Sequence, residues 1–142
     1  MPRRILPWAS LAAPRIIALG WATWAASTAW AYRDGAPAQL HRLESTLNID
    51  VWVMWAVAAT LMMAGAVIPT LSNPRLQEVA GWLRGGGLAM AAGLLGLWAV
   101  EFYATDVSRG WVSGKNYLLL AMCALSHSWW VGRHRAPRKG GR

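Results

Sequence analysis

The sequence predicts an all-α integral membrane protein with four transmembrane helices and short interfacial amphipathic helices between them. Three observations carry this expectation. The chain is 56% hydrophobic, above the roughly 45–50% usual in globular proteins. Its apolar residues fall into four blocks, parted by charged, Pro- and Gly-bearing segments. None of these blocks carries the polar stripe at helical period that marks a soluble amphipathic helix. The competing reading is the buried core of a soluble bundle. The 142 residues hold one membrane domain, 1–132, and a basic tail, 133–142, with no room for a soluble catalytic unit beside four spans.

Residues 2–15 (PRRILPWASLAAPR) carry Arg3, Arg4 and Arg15, and Pro7 and Pro14 discourage a long helix there. The first span is then 16–32 (IIALGWATWAASTAWAY). Its Ala18, Ala22 and Ala26 lie four apart on one face, a small-xxx-small row that lets helix backbones approach. A second reading makes 1–31 a signal peptide cleaved after Ala31. Arg3, Arg4 and the Ala29-Trp30-Ala31 site fit that pattern, while the tryptophans and Arg15 oppose it.

In the next segment Leu40, Leu43 and Leu47 share a face, which predicts a short surface helix, and Asp50 stands ready to cap the second span. That span, 51–68 (VWVMWAVAATLMMAGAVI), has Thr60 as its polar break and exits at Pro69. Asn73-Pro74 predicts another helix start, with Asn73 as cap and Pro74 in the first helical position. Leu76, Val79, Trp82 and Leu83 form its apolar side, with Arg75, Glu78 and Arg84 in water. Gly85-Gly86-Gly87 is expected to end it and turn the chain into the third span, 86–103. Gly85, Ala89 and Gly93 form one small-residue row along that span, with Ala92 and Gly96 beside it. Such rows either pack the helices of one monomer or drive self-association. A Gly/Ser-rich turn (TDVSRGWVSGKN) leads to the fourth span, 117–132 (YLLLAMCALSHSWWVG), and the tail RHRAPRKGGR follows.

Net charge is +8. The basic residues flank apolar spans, so they read as topology and headgroup determinants and not as a nucleic-acid groove. With four spans, Arg3, Arg4, Arg15, Arg75, Arg84 and five tail residues share one side, against Arg33, Arg42, Arg109 and Lys115 on the other. That bias puts both termini in the cytoplasm and the protein in the inner membrane as a multi-pass chain. The aromatics follow the same division. Trp30, Tyr32, Trp52, Phe102, Tyr103, Trp111 and Tyr117 are expected at the outer interface, and Trp8, Trp82, Trp129 and Trp130 at the inner one.

Little in the sequence points to chemistry. Glu101 is the one acid inside an apolar block; it either marks an ion path or reaches water near the interface. His127 lies between Ser126 and Ser128, one turn after Cys123. A two-ligand metal corner is geometrically possible there, but a polar cluster bonding a neighbouring helix fits better, because His41 and His134 lie elsewhere. Cys123 is the one cysteine and is expected as a small buried residue. Histidines on facing spans, which a bridged haem would need, are missing. GWVSGKN lacks the spacing and hydroxyl of a phosphate loop. No nucleophile–base set is present. The expectation is a non-enzymatic protein without metal or cofactor, in contact with membrane lipids, self-associating, with a membrane-protein partner as a further option.

Alanine, glycine, arginine and tryptophan are heavily used and lysine is nearly absent, which points to a GC-rich actinobacterial genome or its phage. In that setting HRLESTLNIDVWVMWAV, SRGWVSGKNYLLL and the general layout resemble the small multi-span membrane proteins, including holins, of actinobacteriophages. The resemblance implies oligomerisation in the inner membrane and permeabilisation of the host during lysis. A structural or interaction subunit, for example one for superinfection exclusion, is the alternative, and a small transporter using Glu101 a third.

Overall fold

A computed structural model describes residues 7–68, 73–104 and 110–133. The described chain is all-α. It contains α1 (Pro7–Ala31), α2 (His41–Leu47), α3 (Val51–Val67), α4 (Pro74–Ala104) and α5 (Gly110–Arg133), with one 3-10 turn, Ala38–Leu40, leading into α2. α3 packs between α1 and α4, and α4 between α3 and α5, so the long helices stand in chain order. Arg3, Arg4, Pro69, Asp106, Arg109 and the tail beyond Arg133 lie outside the described residues.

Three of the expected boundaries are corrected. α1 starts at Pro7 and runs through Pro14, which is buried. Loss of one N–H is tolerable inside a helix when neighbouring groups satisfy the freed carbonyl. α4 runs unbroken through Gly85-Gly86-Gly87. The triplet does not stop the helix, and its members differ: Gly87 is packed against α3, whereas Gly86 faces open space. A Cβ on Gly87 would lie 2.6 Å from Met62 Cγ and 3.0 Å from Ala58 O. Finally, GWVSGKN is the start of α5 rather than part of a turn. Gly114 lets α5 come down on α4, where a Cβ would stand 2.9 Å from the Tyr103 ring and 3.1 Å from Ala99 O.

α4 is the one described helix long and apolar enough to cross a membrane by itself. Its 31 residues span about 46 Å, against about 30 Å of hydrocarbon and 40–45 Å of whole bilayer. α2 and α3 together pass the same test as a pair bent by 76°. Asn48 makes that bend in the left-handed region, at φ 52°, a conformation asparagine tolerates better than most residues. Asp50 occupies the position before α3, but its side chain makes no capping bond. Glu44 caps the helix instead. Its Oε1 accepts from Val51 N at 3.1 Å, placing an anion at the positive end of α3. Asn73 caps α4 as the sequence predicts, with Oδ1 accepting from Arg75 N at 2.9 Å.

The core is small residues plus a few large rings. Ala18, Ala22, Ala25 and Ala29 of α1 are buried together with Ala58, Ala59 and Met62 of α3. Leu40 and Leu43 are buried under the end where α3 begins, while Leu47 is exposed. Close alanine faces bring the helix backbones near enough to gain dispersion energy.

Candidate functional site

Three features of the described chain concentrate chemistry or unfilled space: an aromatic stack through the core, a polar corner at the end of α3, and an open face on α4.

The stack links all four long helices. Trp21 and Trp24 of α1 meet edge to face at 5.7 Å, and Trp24 meets Trp55 of α3 at 5.1 Å. Trp55 then meets Trp98 of α4 at 5.3 Å, and Trp98 meets both Tyr32 and Tyr117 at 5.3 Å. Phe102 stacks on Tyr117. Such geometry adds about 0.5–1.5 kcal/mol per pair beyond burial. Trp55 and Trp98 are 0% and 1% exposed, and neither indole N–H has a hydrogen-bond acceptor; edge-on contact aims the ring margins at neighbouring π faces. Tyr32, Phe102 and Tyr117, expected at the outer interface, stand half-buried in this stack. Trp30, Trp52, Trp82, Trp111, Trp129 and Trp130 are exposed. Arg33 lies over Trp30 at 4.5 Å and Lys115 over Trp111 at 5.6 Å.

At the other end of the stack, His127 accepts at Nδ1 from Trp21 Nε1 at 2.9 Å. This joins α5 to α1 and leaves the proton of the neutral ring on Nε2. Ser126 donates to Met122 O of its own helix at 2.8 Å, whereas Ser128 crosses to Gly85 O of α4 at 2.8 Å. Cys123 is exposed, which corrects its expected burial: the side of α5 that meets α4 is made by Ala121, Ala124 and Val131. Among the described residues no three His, Cys, Asp or Glu side chains come together as a metal site. Glu101 stands half-buried in the last turn of α4.

Arg84 is the largest departure from the sequence reading. Expected in water, it is 7% exposed, because the unbroken α4 turns Ala80, Arg84 and Gly87 toward α3 and leaves Leu76, Val79 and Trp82 outside. Its Nη1 donates to Gly65 O at 2.6 Å, and Gly65 is the reason it fits. A Cβ on Gly65 would lie 2.7 Å from Arg84 Cγ and 2.8 Å from Ala80 O. From α1, Arg15 donates through Nη2 to Ile68 O at 3.1 Å. The sequence did hold a signal for this corner: an arginine immediately before three glycines, opposite a glycine in the neighbouring apolar block.

The two small-residue rows separate in the structure. Ala18 and Ala22 are buried against α3, but Ala26 is exposed, and Ala25 and Ala29 replace it in the contact. The shift follows from helical geometry, since the row drifts around the axis over successive turns and α3 crosses it at an angle. On α4, Ala92 is buried, while Ala89 and Gly93 are exposed and Gly85 and Gly96 half-exposed. A Cβ on Gly86, Gly93 or Gly96 would meet nothing within 4 Å. Beside this face lies a groove of about 950 Å³ between α4 and α5, floored by Gly81, Gly85 and Ala89 and walled by Trp82, Trp129 and Trp130. A smaller opening of about 350 Å³ separates α1 from α5 around Trp21 and His127.

No protein family, curated protein or solved structure matches the chain.

Proposed function

We propose that the protein is a non-enzymatic, multi-span helical protein of the bacterial inner membrane that self-associates and permeabilises it, the holin-like role. In this reading α1, α3 and α5 cross the membrane beside α4, and both chain ends face the cytoplasm. Monomers associate through Gly85, Ala89, Gly93 and Gly96 of α4, with Ala26 at the edge of a second open face.

The observation that carries the proposal is the open glycine face. Each glycine in a helix interior costs about 0.8–1 kcal/mol relative to alanine. Among the described residues Gly86, Gly93 and Gly96 give no intrachain contact in return, because nothing stands where their Cβ atoms would be. A second helix seated there would supply the close backbone contact that such rows make in lipid. Membrane residence has its own support. Thr23, Thr28, Thr60 and Ser126 donate to carbonyls four residues earlier in their own helices, which satisfies them without water. Large apolar side chains at mid-helix, such as Val57, Leu97 and Leu119, are exposed and would face lipid.

The groove between α4 and α5 favours a second reading, a subunit that receives one helix of another membrane protein. Inducing the wild type and Gly93→Leu in a bacterial host separates the two. The lesion reading expects abrupt depolarisation by the wild type, lysis only with a co-expressed endolysin, and loss of both in the variant at equal membrane content. Healthy growth with stably inserted wild type would reject it and favour the subunit.

A further inference from the structure

The first and last of the long helices, α1 and α5, scarcely touch one another. Where they come near, Trp21 Nε1 donates to His127 Nδ1 at 2.9 Å, and the two rings lie edge to face at 6.2 Å. Beside this bond the seam stays open. The opening of about 350 Å³ is lined by Ile17, Gly20, Trp21 and Trp24 of α1 and by Leu120 and His127 of α5. That volume lies within the roughly 300–1,000 Å³ of small-molecule sites.

Space, walls and polarity restrict what the opening can hold. A Cβ on Gly20 would meet nothing within 4 Å, so this glycine leaves room and admits no neighbouring helix. Trp21 and Trp24 stand at 82° to each other, which presents indole surface from two directions. Ile17 and Leu120 add aliphatic surface. The polarity follows from the hydrogen bond. An indole N–H can only donate, so the bond from Trp21 makes Nδ1 the acceptor and leaves the proton of the neutral ring on Nε2. Among the described residues nothing accepts from Nε2, since Trp21 is the partner of His127 in both its hydrogen bond and its ring contact. The ring is half-buried and lines the opening. The seam therefore offers apolar aromatic walls and one donor of fixed identity.

We propose that the α1–α5 opening binds a lipid-soluble quinone, with a carbonyl oxygen accepting from His127 Nε2 and the flat ring lying against Trp21 and Trp24. A plain hydrocarbon would fill the space but leave the Nε2–H without an acceptor in a dry site, which is costly. Indole walls favour a flat ring, whose face and edge they can meet in the geometries aromatic pairs prefer. Trp21 is then a positioning residue as well as a wall, because its bond to Nδ1 keeps Nε2 the donor. The opening shares no residue with the groove between α4 and α5, so the site is separate from the proposed association face. Entry from the lipid phase rests on the membrane reading above, whose failure shows separately as protein recovered in the soluble fraction.

The test uses the full chain purified in detergent, with decylubiquinone as the probe and decylbenzene, which has the ring and chain but no acceptor, as its counterpart. Binding is measured by equilibrium dialysis, and the site is read by NMR of protein carrying nitrogen-15 histidine. The wild type should bind decylubiquinone saturably and in preference to decylbenzene, with a shift of the His127 Nε2 resonance. His127→Phe should weaken binding about fivefold, the worth of one net hydrogen bond. Gly20→Leu, which fills the opening, should abolish it. Equal retention of the two compounds by the wild type overturns the proposal, as does an unmoved Nε2 resonance. So does undiminished binding by Gly20→Leu, which remains decisive if His127→Phe fails to fold. In a further arm dioleoyl-phosphatidylcholine competes with the quinone. Displacement at equal concentration, with the same Nε2 shift, would overturn the quinone and assign the donor to a lipid ester carbonyl.

Discussion

Gly87 and Gly93 lie on the same helix and differ in everything a side chain would meet. A Cβ on Gly87 would run into Met62 and the Ala58 carbonyl, and one on Gly93 would enter open space. On its α3 side α4 is closed: Ala80, Arg84, Gly87 and Leu88 are buried, with Trp98 in the aromatic stack. On the other side it shows exposed or half-exposed Gly85, Gly86, Ala89, Gly93 and Gly96, the first three of them lining an open groove. Glycine on the closed side explains how this monomer folds. On the open side the same residue weakens the helix and gains nothing within the chain, which is why that side carries the functional proposal.

The contrast can be broken most forcefully at the closed side. Trp98→Ala removes a ring that touches Tyr32, Trp55 and Tyr117, and should destabilise the fold by about 3–5 kcal/mol. Thermal unfolding in detergent would read this as a large drop in midpoint. Gly87→Ala comes next, with an expected loss of about 1–3 kcal/mol, since Ala58 O is backbone and does not yield. An unchanged midpoint in Gly87→Ala would show that α3 and α4 do not approach as described.

Gly96→Ala sharpens the comparison from the open side. It should stabilise the monomer by about 0.5–1 kcal/mol through helix propensity alone, and the proposed self-association further expects a lower yield of cross-linked oligomer in membranes. Increased stability with unaltered cross-linking would remove Gly96 from the proposed association face. The smallest effect belongs to Trp21→Phe, which deletes the donor to His127. Interhelical bonds of this kind contribute about 0.6 kcal/mol in membrane proteins, so a small midpoint shift is expected. The His127 ring proton spectrum, recorded by NMR, should change more clearly than the stability.

Periodicity and caps were legible in the amino-acid sequence. The apolar blocks marked the cores of α1, α3, α4 and α5, the row of Leu40, Leu43 and Leu47 marked the 3-10 turn and α2 although Leu47 is exposed, and Asn73-Pro74 marked the start of α4 to the residue. The misreadings share one cause. Gly85-Gly86-Gly87, Pro14 and the glycines of GWVSGKN were weighed by local propensity, in which they break helices. In the folded chain neighbouring helices supply what propensity lacks, so these residues stay helical and several become contact points. Burial of Arg84 followed directly, because only an unbroken α4 aims it at Gly65.

By itself, then, the amino-acid sequence determined the all-α class, the number and approximate place of the apolar helices, and the cation-rich ends. Each of these depends on residues close in the chain: hydrophobic periodicity, capping side chains and flanking charge. The tertiary structure alone decided which small residues are contacts and which are open. It also decided which aromatics line the core, and where two arginines come together. Those properties depend on which face of one helix meets which face of another. Crossing geometry sets that meeting, and a Cβ or its absence tips it by a few tenths of an ångström.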